Sequence, residues 1–190
     1  MQDLVNRIRE LSEVEDAPLL VALDGRSGSG KSTTAVAVAA GFDAVVIDGD
    51  DFYAGYHTAE WDAMSVAERS DRCIDWHRQR QVLEVLARGE PATWHAYDWE
   101  ADNGSLSTEP TTAAAAAIVL LDGAYSARPE LADLFDLRVL LELPEAVRRD
   151  RLLRREGERQ LAEWEAQWSA AEDHYFTVVM PPEAFDLVIR

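Results

Sequence analysis

Residues 19-LLVALDGRSGSGKSTTAVAVAA-40 join an uninterrupted apolar run to a glycine-rich loop and then to a run of good helix formers. An apolar run without alternation is what a strand buried on both faces shows, and such strands belong to parallel sheets covered by helices. Within the loop, Gly25, Gly30, Lys31 and Ser32 complete G-x-x-x-x-G-K-[ST], with Arg26, Ser27, Gly28, Ser29 and Thr33 filling and closing it. Glycines remove side chains and permit positive φ, so backbone N–H groups can converge on an anion. The following helix adds the partial positive charge of its N-terminus. Strand, loop and helix occur in the order the phosphate-binding reading demands. Lys31 is the only lysine; all the other residues of the 18 counted as Lys or Arg are arginines. A compact ammonium fits a tight cradle that a broad, planar guanidinium does not. Residues 25–33 are therefore the expected nucleotide site, with Lys31 on the β/γ-phosphates and the Ser32 hydroxyl on Mg²⁺.

Working outward, 2–13 has the apolar spacing of an amphipathic helix, and 44-AVVID-48, 118-IVLLD-122, 137-LRVLLEL-143 and 185-FDLVI-189 read as further strands. Ser65 and Glu68 form a capping box for a long helix to about Arg88, closed by Gly89. Residues 92–97 read as a strand and 98–112 as a polar loop, before five alanines that serve as a strand lead-in or a piece of helix. Pro144 takes the first position of an arginine-dense helix, 145–156, which Gly157 interrupts; a second helix runs to about Phe176. Strands alternating with helices give an α/β fold of the P-loop NTPase kind. The expectation is a mostly parallel five-stranded sheet sandwiched by helices, in one domain over 1–190. Residues 52–112 would form an acceptor-side insert and 148–165 an arginine-rich lid.

Composition narrows the partners. With 36 acidic against 18 basic residues the net charge is −18, a field that repels nucleic acid and anionic membranes. Cys73, the single cysteine, excludes an intrachain disulfide and a cysteine-built zinc cluster. The charged N-terminus and the absence of a long apolar run lead us to expect a cytoplasmic protein.

Two carboxylates stand at the carboxyl ends of predicted strands, where open α/β sheets bind ligands. Asp50 opens 50-DDFY-53, and Asp122 closes 118-IVLLD-122 as the carboxylate of a metal-reaching strand end. Ser32, Asp50 and Asp122 are the expected metal ligands. Five arginines, at 148, 149, 151, 154 and 155, form either a salt-bridged helix face or a lid that neutralises a transferring phosphoryl group. Arg151 shares a face with Arg154 and with Arg155. Spacing leaves the inward set open, and Arg151 with Arg154 is the expected pair.

With 25-GRSGSGKST-33, 50-DDFY-53, 97-YDW-99 and 122-DGAY-125 in this order, the chain resembles the uridine kinase-like branch of P-loop small-molecule kinases. That branch also holds nicotinamide riboside kinase, pantothenate kinase and phosphoribulokinase, and the resemblance spans about residues 18–160. It implies ATP and Mg²⁺ as cofactors and a small acceptor carrying a hydroxyl. Asp50 would accept the hydroxyl proton and help hold the metal, with Lys31 catalytic beside it. Asp122 stands where the family usually has glutamate. Tyr97 matches a tyrosine lining the acceptor pocket, Tyr53 belongs to the D-x-F-Y marker, and Asp75 matches an acidic acceptor-binding residue. The histidine that contacts the nucleoside in uridine kinases has no counterpart among Glu100 to Asn103. Tyr53, Tyr56, His57, Trp61, Trp76 and Trp99 are candidates for an aromatic acceptor pocket. Two other readings stay open: a P-loop ATPase or switch acting on a partner protein, and a kinase of sugar-nucleotide or phosphorylated acceptors. A guanine-reading N-K-x-D motif is excluded by the single lysine. The acceptor's identity stays open, as does a homodimer.

Overall fold

A computed structural model describes residues 1–13 and 17–190. Five strands form one sheet: β1 (Leu19–Asp24), β2 (Ala44–Asp48), β5 (Ile118–Asp122), β6 (Leu137–Leu141) and β7 (Leu187–Ile189). Their order is β2-β5-β1-β6-β7, and every neighbouring pair is parallel. β1 lies at the centre and is buried at all six positions. Its alternate residues serve different cores. Leu19, Val21 and Leu23 pack with Leu4 and Ile8 of helix α1 (Gln2–Ser12) and Ala35 and Val38 of helix α2 (Lys31–Ala39). Leu20 and Ala22 face the opposite layer, with Phe52, Leu83, Tyr175 and Phe176. An apolar residue is needed on both faces, which is why the strand reads as a continuous run.

The expected elements on this frame are present, with three departures between β2 and β5. First, the chain after β2, for which no regular element was expected, makes a 3₁₀ turn over Gly49–Phe52 and a helix, α3, over Thr58–Ala63. Second, the long helix expected from Ser65 to Arg88 is broken into α4 (Val66–Arg72) and α5 (Trp76–Ala87). Its start is as expected, with Ser65 N–H donating to Glu68 Oε2 at 2.9 Å and Ser65 Oγ accepting from Glu68 N–H at 3.3 Å. The break is imposed from outside the helix. Cys73 C=O accepts from Ala54 N–H at 2.9 Å, and Asp75 N–H donates to Phe52 C=O at 2.8 Å. The Asp75 carboxylate then caps α5 by accepting from Arg78 N–H at 3.2 Å. Third, the strand expected over 92–97 stops at Trp94 as β3 (Ala92–Trp94). It pairs antiparallel with β4 (Thr111–Ala113), a strand at the end of the expected loop that takes in the first alanine of the run.

Toward the C-terminus, α6 (Glu145–Glu156) and α7 (Glu158–His174) are separated at Gly157, which has φ +82°. Pro144 is the cap residue before α6 and lies outside the helix, one position earlier than expected. α7 runs into a π-helical turn over Tyr175–Val179. Among the described residues, no helix is long and apolar enough to cross a membrane.

Register brings the site together. Asp48 and Asp122 are partners across β2 and β5, and Leu23 lies opposite Asp122 across β1. The chain leaves β2 and β5 through Gly49 and Gly123, whose backbones touch. A methyl group on Gly49 would lie 2.9 Å from Asp122 C=O and 3.2 Å from Gly123 Cα. Gly49→Ala should therefore lower unfolding stability by about 1–3 kcal/mol, since rigid backbone on both sides must move. Urea denaturation measures this; an unchanged midpoint would show that the approach of the two loops is not constrained.

Candidate active site

The phosphate loop takes its shape from close contacts that only glycine tolerates. Gly28 has φ +79°, and a methyl group there would sit 2.7 Å from Arg148 C=O. Gly30, at φ +97°, turns the chain into α2. Behind the loop, the strand's last residue holds it in place. Asp24 is completely buried. Its Oδ1 accepts from Gly25 N–H at 2.7 Å and Tyr125 N–H at 3.0 Å, and its Oδ2 from Ala127 N–H at 2.9 Å and the Tyr175 hydroxyl at 2.8 Å. Burial pushes this carboxyl up to about 6, against the pull of Ala127 N–H, the Tyr175 hydroxyl, Gly25 N–H and Lys31. The folded-state value lies above the unfolded 3.8, so this group's contribution to stability declines as pH rises from about 4 to 6.

Lys31 Nζ donates to Gly25 C=O at 2.7 Å and Arg26 C=O at 3.3 Å, which puts the ammonium on the N-terminal limb of the loop. Facing it across a cleft of about 590 Å³ are Asp48, Asp50 and Asp122, with Ser32 and Thr33 at the start of α2 and Arg151 and Arg155 from α6. Asp122 is buried, its Oδ1 has no hydrogen-bond partner, and burial raises its pKa despite the nearby Ser32 hydroxyl and Lys31. Asp50 is exposed to solvent and lines the same cleft. The protein crowded around it raises its carboxyl to about 6, helped by Asp48 and Asp122 and opposed by Lys31 and Arg155.

The sequence candidates divide as follows. Ser27 to Thr33, Asp50 and Asp122 line the one cleft together with Arg151. The Arg151 guanidinium approaches the loop, with Nη1 3.4 Å from the carbonyls of Gly28 and Ser29. Arg154 does not join it: its guanidinium pairs with Asp150 at 2.8 Å on the exposed side of α6. Arg155, one turn from Arg151, lines the cleft instead. Arg26 faces away from the phosphates' side, pairing with Asp173 at 2.5 Å and lying over the Phe176 ring at 5.2 Å. Asp75 is occupied as the cap of α5.

Beyond Asp50 lies an aromatic cluster. Tyr53 stacks on Trp99 with centroids 5.0 Å apart and meets Tyr97 edge-on at 4.9 Å; Trp61, Tyr56 and Trp168 close the group. Tyr97 donates its hydroxyl proton to Asp102 Oδ1 at 2.9 Å, and burial raises the Tyr53 hydroxyl well above its ordinary value. Trp76 lies apart from the group, packed against His77 and Arg128. Sequence reasoning missed Asp24 and Trp168, and named Arg155 without choosing it over Arg154. An aspartate closing a fully apolar run was a visible signal for the first; the other two needed the geometry of α6 and α7.

No family model matches the chain. Among solved structures it is similar to a protein assigned as a fructose transport system kinase from Silicibacter sp. TM1040, at 21% identity and TM-score 0.73. That match covers 99% of this chain and 98% of that one. A protein assigned as a uridine kinase from Bacillus stearothermophilus follows at 22% identity and TM-score 0.68, over 99% and 100% of the two chains. The fold is that of the P-loop kinases. D-glycerate 3-kinase from Cryptococcus neoformans shares it at 13% identity and TM-score 0.55, covering 97% of this chain and 87% of that one. On this kinase fold, the cleft at the carboxyl ends of β1, β2 and β5 holds both the phosphate loop and the carboxylates.

Removing the Asp24 carboxylate leaves three N–H groups and a hydroxyl without their acceptor. Asp24→Ala should cost on the order of 3 kcal/mol in urea unfolding, and Asp24→Asn, which keeps an acceptor, less. A loss below about 0.5 kcal/mol for the alanine variant would mean that the loop is anchored elsewhere.

Proposed function

We propose that the chain is an ATP-dependent kinase that phosphorylates a hydroxyl of a small, unphosphorylated metabolite in the cytoplasm. The observation that carries this reading is the position of Asp50. A carboxylate with a raised pKa lines the phosphate-loop cleft, and its residue's backbone C=O accepts from the N–H of Tyr53, a member of the aromatic cluster, at 3.2 Å, which supports a place between a nucleotide site and an acceptor site.

The residues fit a magnesium nucleotide. Asp122 Oδ1 is buried without a partner, and Ser32, Asp48 and Asp50 line the same cleft. Among the described residues no cluster of three or more metal-binding side chains forms a cage. That suits an ion bound through one or two carboxylates and the substrate phosphates. Ser32, Asp122 and Asp50 would hold it, and when bound it offsets charge on the phosphate oxygens. The loop N–H groups and Lys31 position the triphosphate. Asp50 orients the acceptor hydroxyl and takes its proton as the oxygen attacks the terminal phosphorus, while Arg151 and Arg155 neutralise charge on the transferred group.

An unphosphorylated acceptor is favoured by what the arginines of the acceptor side are doing. Arg69 donates to Gln167 C=O at 3.3 Å, Arg78 donates to His95 C=O, and Arg80 pairs with Asp133 at both carboxylate oxygens. Arg78 and Arg80 are thereby committed to protein partners.

The test is a coupled ADP-release assay with Mg²⁺–ATP against nucleosides, vitamins, sugars and amino alcohols. At least one hydroxyl compound should stimulate release. Asp50→Asn should lower that stimulated rate by about a thousandfold while ATP binding survives, general-base catalysis contributing roughly 10²–10⁴. Stimulation by no compound, or full turnover in the asparagine variant, would sink the reading. Because Asp50 must be ionised and its carboxyl is raised to about 6, turnover should fall as pH drops through about 6. A rate flat down to pH 5 would remove Asp50 from the role of base.

A further inference from the structure

The end of α7 and the turn after it grip the phosphate loop in reverse order. Glu172 Oε1 accepts from both Ser27 N–H, at 2.9 Å, and Ser27 Oγ, at 2.7 Å. Asp173 pairs with Arg26, and the Tyr175 hydroxyl donates to Asp24 Oδ2 at 2.8 Å. The second and third contacts fix the loop's flank and base. The first is different in kind. Glu172 is only 3% exposed, and its carboxylate is lodged on an N–H of a loop whose N–H groups serve to receive anions.

Ser27 belongs to the limb that carries Lys31 Nζ, which donates to the carbonyls of Gly25 and Arg26. The lysine of this motif serves the β/γ-phosphates, so this limb is the terminal-phosphate end of the cradle. Arg148 offsets part of the carboxylate's charge, but its Nη1 donates to Ser27 C=O at 3.1 Å and leaves the N–H to Glu172.

We infer that Glu172 is a positioning residue that acts as an internal anion. It holds the Ser27 N–H away from the cradle and repels a terminal phosphate, so the resting loop discriminates against a triphosphate relative to a diphosphate. Trp168, one turn earlier on α7, packs edge-on against Trp61 at 4.8 Å and Tyr53 at 5.9 Å. One helix thus touches both the phosphate loop and the aromatic cluster, and a shift of α7 at the acceptor side withdraws Glu172 from Ser27. The device keeps ATP weakly held and unhydrolysed until an acceptor arrives. It rests on the kinase reading for the identity of the two ligands.

The test is calorimetric titration of the full chain with Mg²⁺–ADP and with a non-hydrolysable β,γ-imido analogue of ATP. Glu172→Gln keeps a hydrogen-bond acceptor and removes the charge. It should bind the analogue about tenfold more tightly than wild type while ADP changes by less than about twofold. Ser27→Ala loses only the hydroxyl contact and should raise the analogue-to-ADP affinity ratio by about two- to threefold, whatever its effect on ADP itself. It also keeps the idea testable should Glu172→Gln unfold. An analogue-to-ADP affinity ratio equal to wild type in the folded variants overturns the proposal and leaves Glu172 a structural clamp. If wild type binds neither nucleotide, the kinase reading falls and this proposal with it.

Discussion

The carboxylate of Asp24 is the constraint on which the rest of the site depends. It accepts from four donors drawn from three places: the first residue of the phosphate loop, the turn after β5, and the end of α7. The second and third places lie 101 to 103 and 151 residues from Asp24 in sequence, and one buried side chain sets their separation. A buried charge is expensive unless every lone pair finds a donor, so satisfying Asp24 compels the three segments to converge. The cleft is the space left in front of that convergence. Its acidic wall follows from register alone, because Asp48 and Asp122 are partners across β2 and β5.

Charge sets the terms on which an acidic chain would receive an anionic nucleotide. Its net charge of −18 works against phosphate binding at long range. The remedy is local and short-ranged: loop N–H groups, one ammonium and two guanidiniums from α6 converge on the same cleft. Lysine and arginine divide the task by shape. The ammonium of Lys31 reaches into the loop and touches its carbonyls, whereas Arg151 and Arg155 approach from a separate helix. Arg154, one residue away from Arg155, turns instead to Asp150. A helix turns by about 100° per residue, so Arg154 leaves α6 in a different direction from Arg155.

The sheet and the phosphate loop were legible because their signals are local. Continuous apolar runs marked β1, β2, β5 and β6, and a fixed spacing marked residues 25–32. What sequence reading could not see was decided by distant partners. The break between α4 and α5 is made by the backbone of Phe52 and Ala54, and the one local signal for it is Asp75, a good N-cap residue. The short strand β4 exists because β3 lies beside it. Glu172 looked like one of many surface acids on α7; its partner is 145 residues away. Trp168 and Arg155 likewise acquire meaning only once the faces of their helices are known. The aromatic cluster was half visible: the D-D-F-Y and Y-D-W segments named Tyr53, Tyr97 and Trp99, but separating Trp61 and Trp168 from Trp76 required the fold.

In the proposed reaction Asp50, which lines the cleft with the phosphate loop, is the base, and the central claim is transfer of a phosphoryl group to an acceptor hydroxyl. The most direct measurement incubates the full chain with Mg²⁺ and γ-labelled ATP in a pooled extract of small metabolites, and follows the label by chromatography and mass spectrometry. The account predicts that label appears in an organic phosphate ester, and that Lys31→Ala abolishes its formation. Label found only in inorganic phosphate, with no labelled ester at any time, would contradict it.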